Sequence, residues 1–350
     1  MRTQIIGSGF VTGEHRITND QLAQLMDTSD SWIRERSGVE ARYYVEQGTA
    51  TSDLGVGAAK KALDDAGVTK EEVDYVVFAT MTPDHYFPGC GGIFLEKMKM
   101  PQIPTLDIRQ QCTGFLYGLQ VADVLVRSGE ARTILLVGAE VHSGFMPWRN
   151  WDFLFGRGGQ PPTPEEGALN TRFRDRTVLF GDAAGAVVMR GSEGDRGMLG
   201  YQLHSDGTNF QDLYVPGVGF AHRPFVDEQQ TKDFLHIPEM NGRAVYKLAV
   251  SRMPQAVREL CAKQRMTVGD IDLLIAHQAN LRINEAVQKS LGLSDDRVYN
   301  NIQKYGNTTA ATIPIALDEC RKSGRIRPGQ LVCFVGLGSG FHWGAALMRA

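Results

Sequence analysis

Cys112 lies where a short apolar run gives way to a helical pattern, a position that can activate a thiol. Residues 104–108 predict a buried strand, and apolar residues from Leu116 to Val126 recur at helical spacing. The unpaired amides and the positive dipole at a helix N-terminus favour the thiolate, which is the nucleophilic form of cysteine. A free cysteine is also one of the most often buried residue types, so this position alone does not separate a nucleophile from a core residue.

His277 directly follows the predicted strand 271–276, and this placement brings it toward the same sheet edge as Cys112. Ligands of parallel α/β sheets bind at the carboxyl ends of strands. An imidazole can exchange or donate a proton near neutral pH, although a histidine in a strand-end loop is also a common local hydrogen-bonding group. The position therefore makes His277 a candidate catalytic residue beside Cys112.

Asn307 is predicted to be the counterpart of Cys112 in an internal repeat. Both halves of the chain contain a helix, a glycine and a strand in that order, and the two helices end at Gly129 and Gly324. Counting seventeen residues back from each glycine reaches Cys112 and Asn307. Asn307 is also a good turn and helix-cap residue in its own right. Three polar residues that converge on one pocket nevertheless indicate an active site.

The strands and helices that would position these residues form a duplicated α/β pattern. The first half alternates strands and helices, as expected for a mostly parallel sheet that is covered by helices. The second half repeats this pattern, and residues 268–276 parallel residues 68–79. A duplication with a fixed offset predicts two similar halves, residues 1–190 and 191–350, that pack about a pseudo-twofold axis.

Residues 144–174 interrupt the pattern and are predicted to be an insertion or flap. The segment is rich in glycine, proline and aromatic residues, and it shows no sustained helical or strand period. Long loops without regular structure are uncommon in compact domains and are usually functional or mobile. The many aromatic residues argue against a disordered linker, which rarely carries them. We therefore expect an aromatic flap beside the active site.

Length and composition exclude several classes of protein. The chain has 350 residues, of which 42% are hydrophobic and 22% charged, as in a globular protein with two domains or two fused halves. A formal net charge of -3 gives no global attraction to nucleic acid. No apolar run approaches the ~20 residues that span a bilayer, so membrane insertion is not expected. The first residues read as a strand and a glycine turn, without a signal-peptide pattern.

The cysteines indicate a reducing compartment. Their number, five, is odd, they are scattered along the chain, and no two of them form a C-x-x-C pair. Neither a disulfide framework nor a zinc site is therefore expected, and the default location is the cytoplasm.

Four motifs together resemble one known family over nearly the whole chain. They are Cys-x-Gly-Phe at 112–115, His-Gln-Ala-Asn-Leu-Arg at 277–282, Gly-Asn-Thr at 306–308 and Gly-Ser-Gly-Phe-His-Trp-Gly at 338–344. In order, spacing and sequence they are similar to the β-ketoacyl-acyl-carrier-protein synthase III family of thiolase-like condensing enzymes. The resemblance implies a five-layered α-β-α-β-α fold from two duplicated halves, usually in a homodimer.

The resemblance also implies a Cys-His-Asn triad, here Cys112, His277 and Asn307. Cys112 would take an acyl group from acyl-coenzyme A to form an acyl-enzyme. His277 and Asn307 would hydrogen-bond the thioester of malonyl-acyl carrier protein as it loses carbon dioxide. The backbone amides of Cys112 and Ser339 would hold the oxyanion. This chemistry needs neither a metal nor an organic cofactor.

Three residues are assigned to coenzyme A only through the resemblance. They are Trp32, Arg36 and Arg176. Arg176 is expected to hold the adenine against the Trp32 ring, and Arg36 is expected to contact the same ligand. Without the resemblance, a buried tryptophan and two solvated arginines would be an equally good interpretation of these residue types.

Three more residues are assigned to the carrier protein or the acyl pocket in the same way. Asn280 matches a residue beside the active site, and Arg282 matches one implicated in contact with the acyl carrier protein. Phe87 matches a residue that reaches across the dimer to the acyl pocket of the partner subunit. A bulky side chain there would shorten the pocket and favour a short primer.

The sequence departs from the family pattern at places that bear on the substrate. The segment between Val141 and Arg176 is about 25 residues longer than a plain member needs. Gln110, Gln111 and Ser339 replace smaller residues. A medium, longer or specialised acyl group therefore remains open, and with it a condensing enzyme or acyltransferase of secondary metabolism. A thiolase is disfavoured because Ser339 stands near the position of its second cysteine, and a non-catalytic acyl-binding partner would not need the intact triad.

Overall fold

The computed structural model describes all 350 residues of the chain. The strands are β1 (Arg2–Thr12), β2 (His15–Thr18), β3 (Ala41–Tyr44), β4 (Tyr75–Ala79), β5 (Thr105–Ile108), β6 (Thr133–Glu140), β7 (Ala183–Ser192), β8 (Gly197–Ser205), β9 (Leu213–Tyr214), β10 (Glu239–Met240), β11 (Leu273–Ala276), β12 (Val298–Tyr299), β13 (Leu331–Gly338) and β14 (His342–Arg349). The helices are α1 (Asn19–Leu22), α2 (Asp30–Ser37), α3 (Thr51–Ala66), α4 (Gly91–Met98), α5 (Gly114–Ser128), α6 (Trp151–Leu154), α7 (Pro164–Arg172), α8 (Arg174–Thr177), α9 (Glu228–Lys232), α10 (Gly242–Lys263), α11 (Leu281–Leu291), α12 (Ile302–Tyr305) and α13 (Thr312–Lys322).

The first sheet has the strand order β1-β7-β6-β4-β5. β4 pairs in parallel with β5 and β6, whereas β7 runs antiparallel to β1 and β6. All eight residues of β6 are buried, because it lies in the middle of a sheet that helices cover on both faces. β5 is an edge strand, and Leu106 within it is 39% exposed. The prediction of a buried strand over residues 104–108 is therefore right about the strand and wrong about its burial.

The second sheet repeats the first with the order β8-β14-β13-β11-β12. β11 pairs in parallel with β12 and β13, and β14 runs antiparallel to β13 and β8. Each strand therefore has a counterpart with the same neighbours in the other sheet. The internal repeat in the sequence corresponds to this duplication of one α/β unit.

Helices and sheets alternate in five layers. α3 and α4 cover the outer face of the first sheet, and α10 and α11 cover the outer face of the second. The central layer consists of α5 and α13, whose apolar residues share one core cluster with inward-facing residues of both sheets. This arrangement is the expected α-β-α-β-α fold. It also brings the N-terminal ends of α5 and α13 together between the two sheets.

The chain leaves the first sheet at Ser192 and enters the second at Gly197. The predicted boundary between residues 190 and 191 falls just before this connection. Hydrogen bonds cross this boundary; for example, the Ser8 hydroxyl donates to the buried Asp318 carboxylate in α13 at 2.8 Å. The two halves thus share a continuous interior.

Asn307 is not the structural counterpart of Cys112. A short 3-10 helix precedes each central helix, Gln111–Thr113 before α5 and Thr309–Ala311 before α13. Their first residues, Gln111 and Thr309, share a left-handed backbone, with φ angles of 47° and 48°. Ala310 therefore corresponds to Cys112. The count from the terminal glycines fails because α13 has 11 residues and α5 has 15, so the second helix is one turn shorter.

The segment 144–174 is helical in part and is packed against the small sheet of β2 and β3 and the helices α1 and α2 between them. Trp148 and Leu154 are buried in a cluster with apolar residues of α1, α2 and β3. The Phe155 ring stacks on His15 at 3.8 Å, and Arg157 makes two hydrogen bonds to Glu46, of 2.7 and 3.0 Å. Most aromatic residues of the segment 144–174 thus pack away from Cys112. Of the residues in this segment, only Phe145 and Met146 line the cavity beside Cys112. The expectation of an aromatic flap over the site is accordingly corrected.

The helix α7 in this segment could have been predicted from its N-terminal residues, although the segment lacks an apolar periodicity. Thr163 caps it, Glu166 completes the capping box, and Pro164 occupies the first turn. These residues are typical of a helix N-terminus. A helix of 9 residues with one buried side chain shows little apolar period, because it packs against the rest of the protein over a narrow face.

Candidate active site

Cys112 lies in the 3-10 helix that leads into α5, and 8% of its surface is exposed. Its own backbone amide and the backbone amide of Ser339 lie near enough to the sulfur to lower the pKa of the thiol. Gly338, at the end of β13, permits this close approach: a Cβ there would lie 2.9 Å from both the Cβ and the backbone nitrogen of Cys112. The two backbone amides thus converge on the position where an acylated sulfur would hold its carbonyl oxygen.

Replacing Gly338 by alanine is expected to lower the rate of Cys112 acylation by about 100-fold, the loss typical of a disturbed oxyanion donor. The added methyl group would move Cys112 away from the Ser339 amide, or the amide away from the sulfur. Intact-protein mass spectrometry after mixing with an acyl thioester would measure the rate. Gly92→Ala is the matched control, because nothing lies within 4 Å of a Cβ at that position. Acylation of Gly338→Ala at the wild-type rate would contradict the assigned geometry.

Burial dominates the ionisation of Cys112. Loss of solvent, together with the nearby Glu140 carboxylate, raises the pKa of the thiol to about 12, although the two amides and the Thr309 side chain act in the opposite direction. The backbone amides favour the thiolate, as expected, but burial outweighs them in the free enzyme. The dipole and amides lower the pKa only against a larger desolvation effect. Cys112 rests as a thiol at pH 7 and must lose its proton when it reacts.

His277 lies directly after β11, as predicted, and it is buried. Its Nδ1 is 2.7 Å from the Thr312 hydroxyl. The Thr312 hydroxyl is also 3.0 Å from the Thr309 carbonyl oxygen, which can only accept, so its one proton is directed either to that carbonyl or to Nδ1. When the hydroxyl donates to Nδ1, the neutral ring carries its proton on Nε2, which has no partner in the protein. Burial and the neighbouring His142 lower the pKa of His277 to about 3, so the ring is neutral at pH 7.

Asn307 lies in the turn between α12 and α13 and is 5% exposed. Its Oδ1 accepts a hydrogen bond from the Thr309 backbone amide at 2.9 Å, which leaves the Nδ2 group available as a donor. Cys112, His277 and Asn307 line the same cavity of about 560 Å³. The structure therefore brings the predicted triad together, with a thiol, a neutral imidazole and a carboxamide facing a common space.

Two buried polar residues near Cys112 were not identified from the sequence. Glu140 ends β6, its carboxylate accepts hydrogen bonds from Thr80 and Thr82, and burial raises its pKa to about 7. His142 follows two residues later and is hydrogen-bonded to Thr309 at 2.8 Å. Both lie at or just beyond the carboxyl end of a central strand. The strand-end rule that identified His277 could therefore have identified them too.

A different arginine lies over Trp32 from the one that the resemblance assigns. The guanidinium carbons of Arg36 and Arg174 lie 4.3 and 4.6 Å from the Trp32 ring centroid. Arg176 instead lies over Phe173, at 5.1 Å, and lines a cavity beside Cys112. The residue opposite Trp32 is thus Arg174, because residues two apart in the helix α8 point to opposite sides. Trp32 and Arg36 are four apart in α2 and share one face.

The remaining predicted positions lie around the cavity mouth or on the surface. Asn280 caps α11 through the Arg282 amide at 2.9 Å and donates to the Arg36 carbonyl at 2.8 Å, so it joins the two halves at the mouth. Arg282 is exposed and lines the same cavity. Phe87 is 82% exposed and lies in the loop that follows β4. It contributes nothing to the cavities that surround Cys112 in its own subunit.

A second space adjoins Cys112 on the side away from His277. It has a volume of about 350 Å³ and a largely apolar lining that includes Met81, Phe145 and Val215. These three residues also line a further cavity of about 750 Å³, which extends toward Tyr86. Cys112 therefore lies between a cavity that holds the two donors and an apolar space of a size that takes a small ligand.

The structure groups no three His, Cys, Asp or Glu side chains in an arrangement that could hold a metal ion. None of its helices combines the length and the apolar character needed to cross a membrane.

Similarity to known proteins extends over the full chain. Residues 106–160 and 166–207 match the family model for 3-oxoacyl-[acyl-carrier-protein (ACP)] synthase III, and residues 261–350 match the model for its C-terminal part. A β-ketoacyl-[acyl-carrier-protein] synthase III from Paramagnetospirillum magneticum is 39% identical, over 100% of this chain and 99% of the relative.

Solved structures agree in fold. The 3-oxoacyl-[acyl-carrier-protein] synthase III from Thermus thermophilus has a TM-score of 0.85 and 34% identity, covering 99% of both chains. The priming β-ketosynthase of the R1128 polyketide pathway has a TM-score of 0.84 and 26% identity, covering 99% of this chain and 96% of that one. The thiolase-like fold and the family resemblance are both confirmed. The chain belongs to the β-ketoacyl-acyl-carrier-protein synthase III family, a group of acyltransferases that act as condensing enzymes.

Proposed function

We propose that this protein transfers an acyl group from acyl-coenzyme A to Cys112 and then joins it to malonyl-acyl carrier protein, giving a 3-oxoacyl-acyl carrier protein at the start of fatty acid synthesis. The observation that carries the proposal is the shared cavity of Cys112, His277 and Asn307, with two backbone amides facing the Cys112 sulfur. The coenzyme A thioester is a substrate, and the proposed steps use only protein groups.

In the first step the Cys112 sulfur attacks the thioester carbonyl. The carbonyl oxygen gains negative charge and is stabilised by the amides of Cys112 and Ser339. Collapse of the tetrahedral intermediate releases coenzyme A and leaves the acyl group on Cys112. The apolar space beside Met81 and Phe145 would receive its chain. Covalent capture divides a difficult carbon–carbon bond formation into two easier steps.

In the second step a malonyl thioester occupies the cavity with its carbonyl oxygen near His277 and Asn307. Loss of carbon dioxide moves an electron pair onto the thioester, which becomes an enolate. The Nε2–H of His277 and the Nδ2 group of Asn307 would donate to its oxygen. The enolate carbon then attacks the acyl carbonyl on Cys112, and the sulfur leaves with the electron pair of the broken bond. Neutral donors suit this role because they stabilise the enolate by hydrogen bonding and keep their protons, so no reprotonation is needed between turnovers.

Arg174→Ala is expected to raise the KM for acyl-coenzyme A about five- to tenfold, because one cation–π contact with the ligand is lost. The change in kcat should be smaller. The guanidinium group stacks on Trp32, 4.6 Å from the ring centroid, and it would move away from the ring to hold an adenine between them. The control substrate is an acyl-pantetheine, which lacks the adenine nucleotide and should react equally with both proteins. Arg176→Ala is the matched variant. If Arg176→Ala raises the KM for acyl-coenzyme A but not for acyl-pantetheine, and Arg174→Ala changes neither, Arg176 is the residue that holds the adenine.

We propose a homodimer and a carrier-protein partner on separate observations. The free edge of β5 exposes Leu106, and an edge strand presents unpaired backbone groups to which a second copy can pair. Phe87, 82% exposed, is then available to reach the partner's acyl pocket. Arg282, exposed at the cavity mouth, would contact the acidic carrier protein. All five cysteines are free, which suits the reducing cytoplasm that we propose as the location.

A second candidate is a condensing enzyme or acyltransferase of secondary metabolism that uses a longer or unusual acyl group. The observation in its favour is the continuation of the apolar space past Phe145 and Val215 into a cavity of about 750 Å³. A panel of acyl-coenzyme A thioesters from acetyl to dodecanoyl, each with malonyl-acyl carrier protein, distinguishes the two. Formation of 3-oxoacyl-acyl carrier protein from short primers supports initiation of fatty acid synthesis. Reaction confined to longer primers supports the second candidate, and the absence of any 3-oxoacyl product refutes both.

A further inference from the structure

Thr309 lies at the start of the 3-10 helix that precedes α13, in a backbone conformation that is rare for its residue type. Its φ angle of 48° places a β-branched side chain in the left-handed region, and the residue is 0% exposed. A conformation of this kind persists where the surrounding contacts hold it. The contacts of Thr309 connect a histidine of the first half of the chain to Asn307.

The backbone amide of Thr309 fixes the side chain of Asn307. It donates to Asn307 Oδ1 at 2.9 Å, and because a backbone N–H can only donate, the Asn307 atom that faces it is the oxygen. Nδ2 is therefore the end of the carboxamide that is left to donate in the cavity. The Thr309 carbonyl is held separately, because it accepts the Thr312 backbone amide in the 3-10 turn.

The side chain of Thr309 is held by His142. Both are buried, and His142 Nε2 lies 2.8 Å from the Thr309 hydroxyl oxygen. His142 Nδ1 lies 3.2 Å from the Gly181 carbonyl oxygen, which can only accept, so Nδ1 carries the proton of the neutral ring. Nε2 is then an acceptor, and the Thr309 hydroxyl donates to it. The Phe180 ring stacks on His142 at 4.7 Å and keeps the imidazole in this orientation.

Residues 179–182 form a common support for His142 and for the backbone of Asn307. The buried Asp182 carboxylate accepts the His142 backbone amide at 2.6 Å. The Leu179 carbonyl accepts the Asn307 backbone amide at 2.7 Å. The backbone of Asn307 is thus anchored on this segment directly, whereas its side chain is anchored through Thr309 and His142.

We propose that His142 is a positioning residue for the condensation step, in which its hydrogen bond to Thr309 holds the left-handed backbone whose amide orients the Asn307 carboxamide. The inference rests on the proposed function, because it concerns the second of its two steps. His142 takes no part in bond making and acts through Thr309.

Loss of the His142 acceptor would leave the buried Thr309 hydroxyl without a partner, and a buried polar group without a hydrogen bond is costly. The left-handed residue would relax toward another conformation, and its amide would move away from Asn307 Oδ1. A donor to a developing oxyanion loses much of its effect when it is displaced. Acylation should be spared, because the oxyanion of that step is assigned to the backbone amides of Cys112 and Ser339.

The test is a double-mutant cycle on the condensation rate, measured in single turnovers from a preformed acyl-enzyme. His142→Phe keeps a ring against Phe180 but removes the acceptor. It should slow condensation about 10- to 100-fold and acylation by less than about threefold. In the Asn307→Ala background the same change should slow condensation by no more than about threefold, because the side chain that His142 orients is absent.

Substitutions of Thr309 separate the hydrogen bond from the shape of the site. Thr309→Val removes the hydroxyl and should slow condensation as much as His142→Phe does. Thr309→Ser keeps the hydroxyl and should condense at close to the wild-type rate. His204→Phe is the matched control, because it also replaces a histidine that is stacked on an aromatic ring, and it should leave both rates unchanged.

The cycle also gives the results that would overturn the proposal. If His142→Phe slows condensation equally in the wild-type and Asn307→Ala backgrounds, His142 acts independently of Asn307. Condensation at the wild-type rate in His142→Phe would equally refute the inference, as would equal losses of acylation and condensation in that variant.

Hydrogen exchange of the Thr309 amide tests the same contact without a substrate, by NMR of protein labelled with ¹⁵N-threonine. The amide should exchange at least about tenfold faster in His142→Phe than in the wild-type protein. The Thr133 amide, which donates to Asp74 at 2.9 Å, is the internal control and should not change. If no primer gives a 3-oxoacyl product but the exchange difference is seen, the proposed function fails and the support of Asn307 by His142 stands. If condensation occurs and neither rate nor exchange changes, the inference fails and the proposed function stands.

Discussion

Replacing Cys112 by alanine is expected to abolish the acyl-enzyme and to lower 3-oxoacyl product formation by about 10⁴-fold or more, because the nucleophile acts as a unit with the groups around it. The wild-type protein should gain the mass of one acyl group after mixing with an acyl-coenzyme A, and Cys112→Ala should gain none. The alanine fits the space without a new contact, so the melting temperature should change little. Intact-protein mass spectrometry and circular dichroism measure the two outcomes.

The matched control is Cys261→Ala, which removes a thiol that is also buried, at 2% exposure, but lies on α10. This variant should be acylated as fast as the wild-type protein. An acyl group that persists on Cys112→Ala would show that another residue is the nucleophile. Loss of acylation in both variants would show that the assay reports folding rather than chemistry.

His277→Ala and Asn307→Ala are each expected to lower the rate of condensation by about 100- to 1000-fold, the loss typical of one donor to a developing oxyanion, while acylation falls much less. Both side chains face the cavity where the malonyl thioester would lie, whereas the oxyanion of acylation is held by backbone amides. Single-turnover experiments measure the two steps separately. Acylation is followed by protein mass, and condensation is followed from a preformed acyl-enzyme.

His204→Ala controls for the removal of a histidine, because His204 is paired with Glu259 at 2.9 Å and lies outside the cavities around Cys112. It should leave both rates unchanged. Equal losses of acylation and condensation in His277→Ala would refute the assignment of that residue to the second step. Retention of condensation in Asn307→Ala would remove Asn307 from the site.

Much of the fold was predictable because the chain repeats one α/β unit, and the repeat is visible in strands and helices that are strongly periodic. Cys112 and His277 were predictable for the related reason that each lies at the carboxyl end of a strand, where sites of parallel sheets form. These inferences depend on local pattern and on the order of elements. Both are properties that a sequence records directly.

The remaining features depend on three-dimensional context. Asn307 was placed by a count that fails because α13 is one turn shorter than α5, although the residue itself lies in the site. Arg174 and Arg176 flank one residue, and only the short helix α8 decides which of them faces Trp32. The high pKa of Cys112 arises from burial and from the Glu140 carboxylate, which the fold brings near it, and no local motif records either.

The most direct test of the account is a single turnover from an isolated acyl-enzyme. The protein is acylated with a labelled acyl-coenzyme A, freed of excess thioester and mixed with malonyl-acyl carrier protein. The account predicts that the label leaves Cys112 and appears in 3-oxoacyl-acyl carrier protein, with one carbon dioxide released per acyl group transferred. Label that remains on the protein, or that is released as free acid without carbon dioxide, would contradict it.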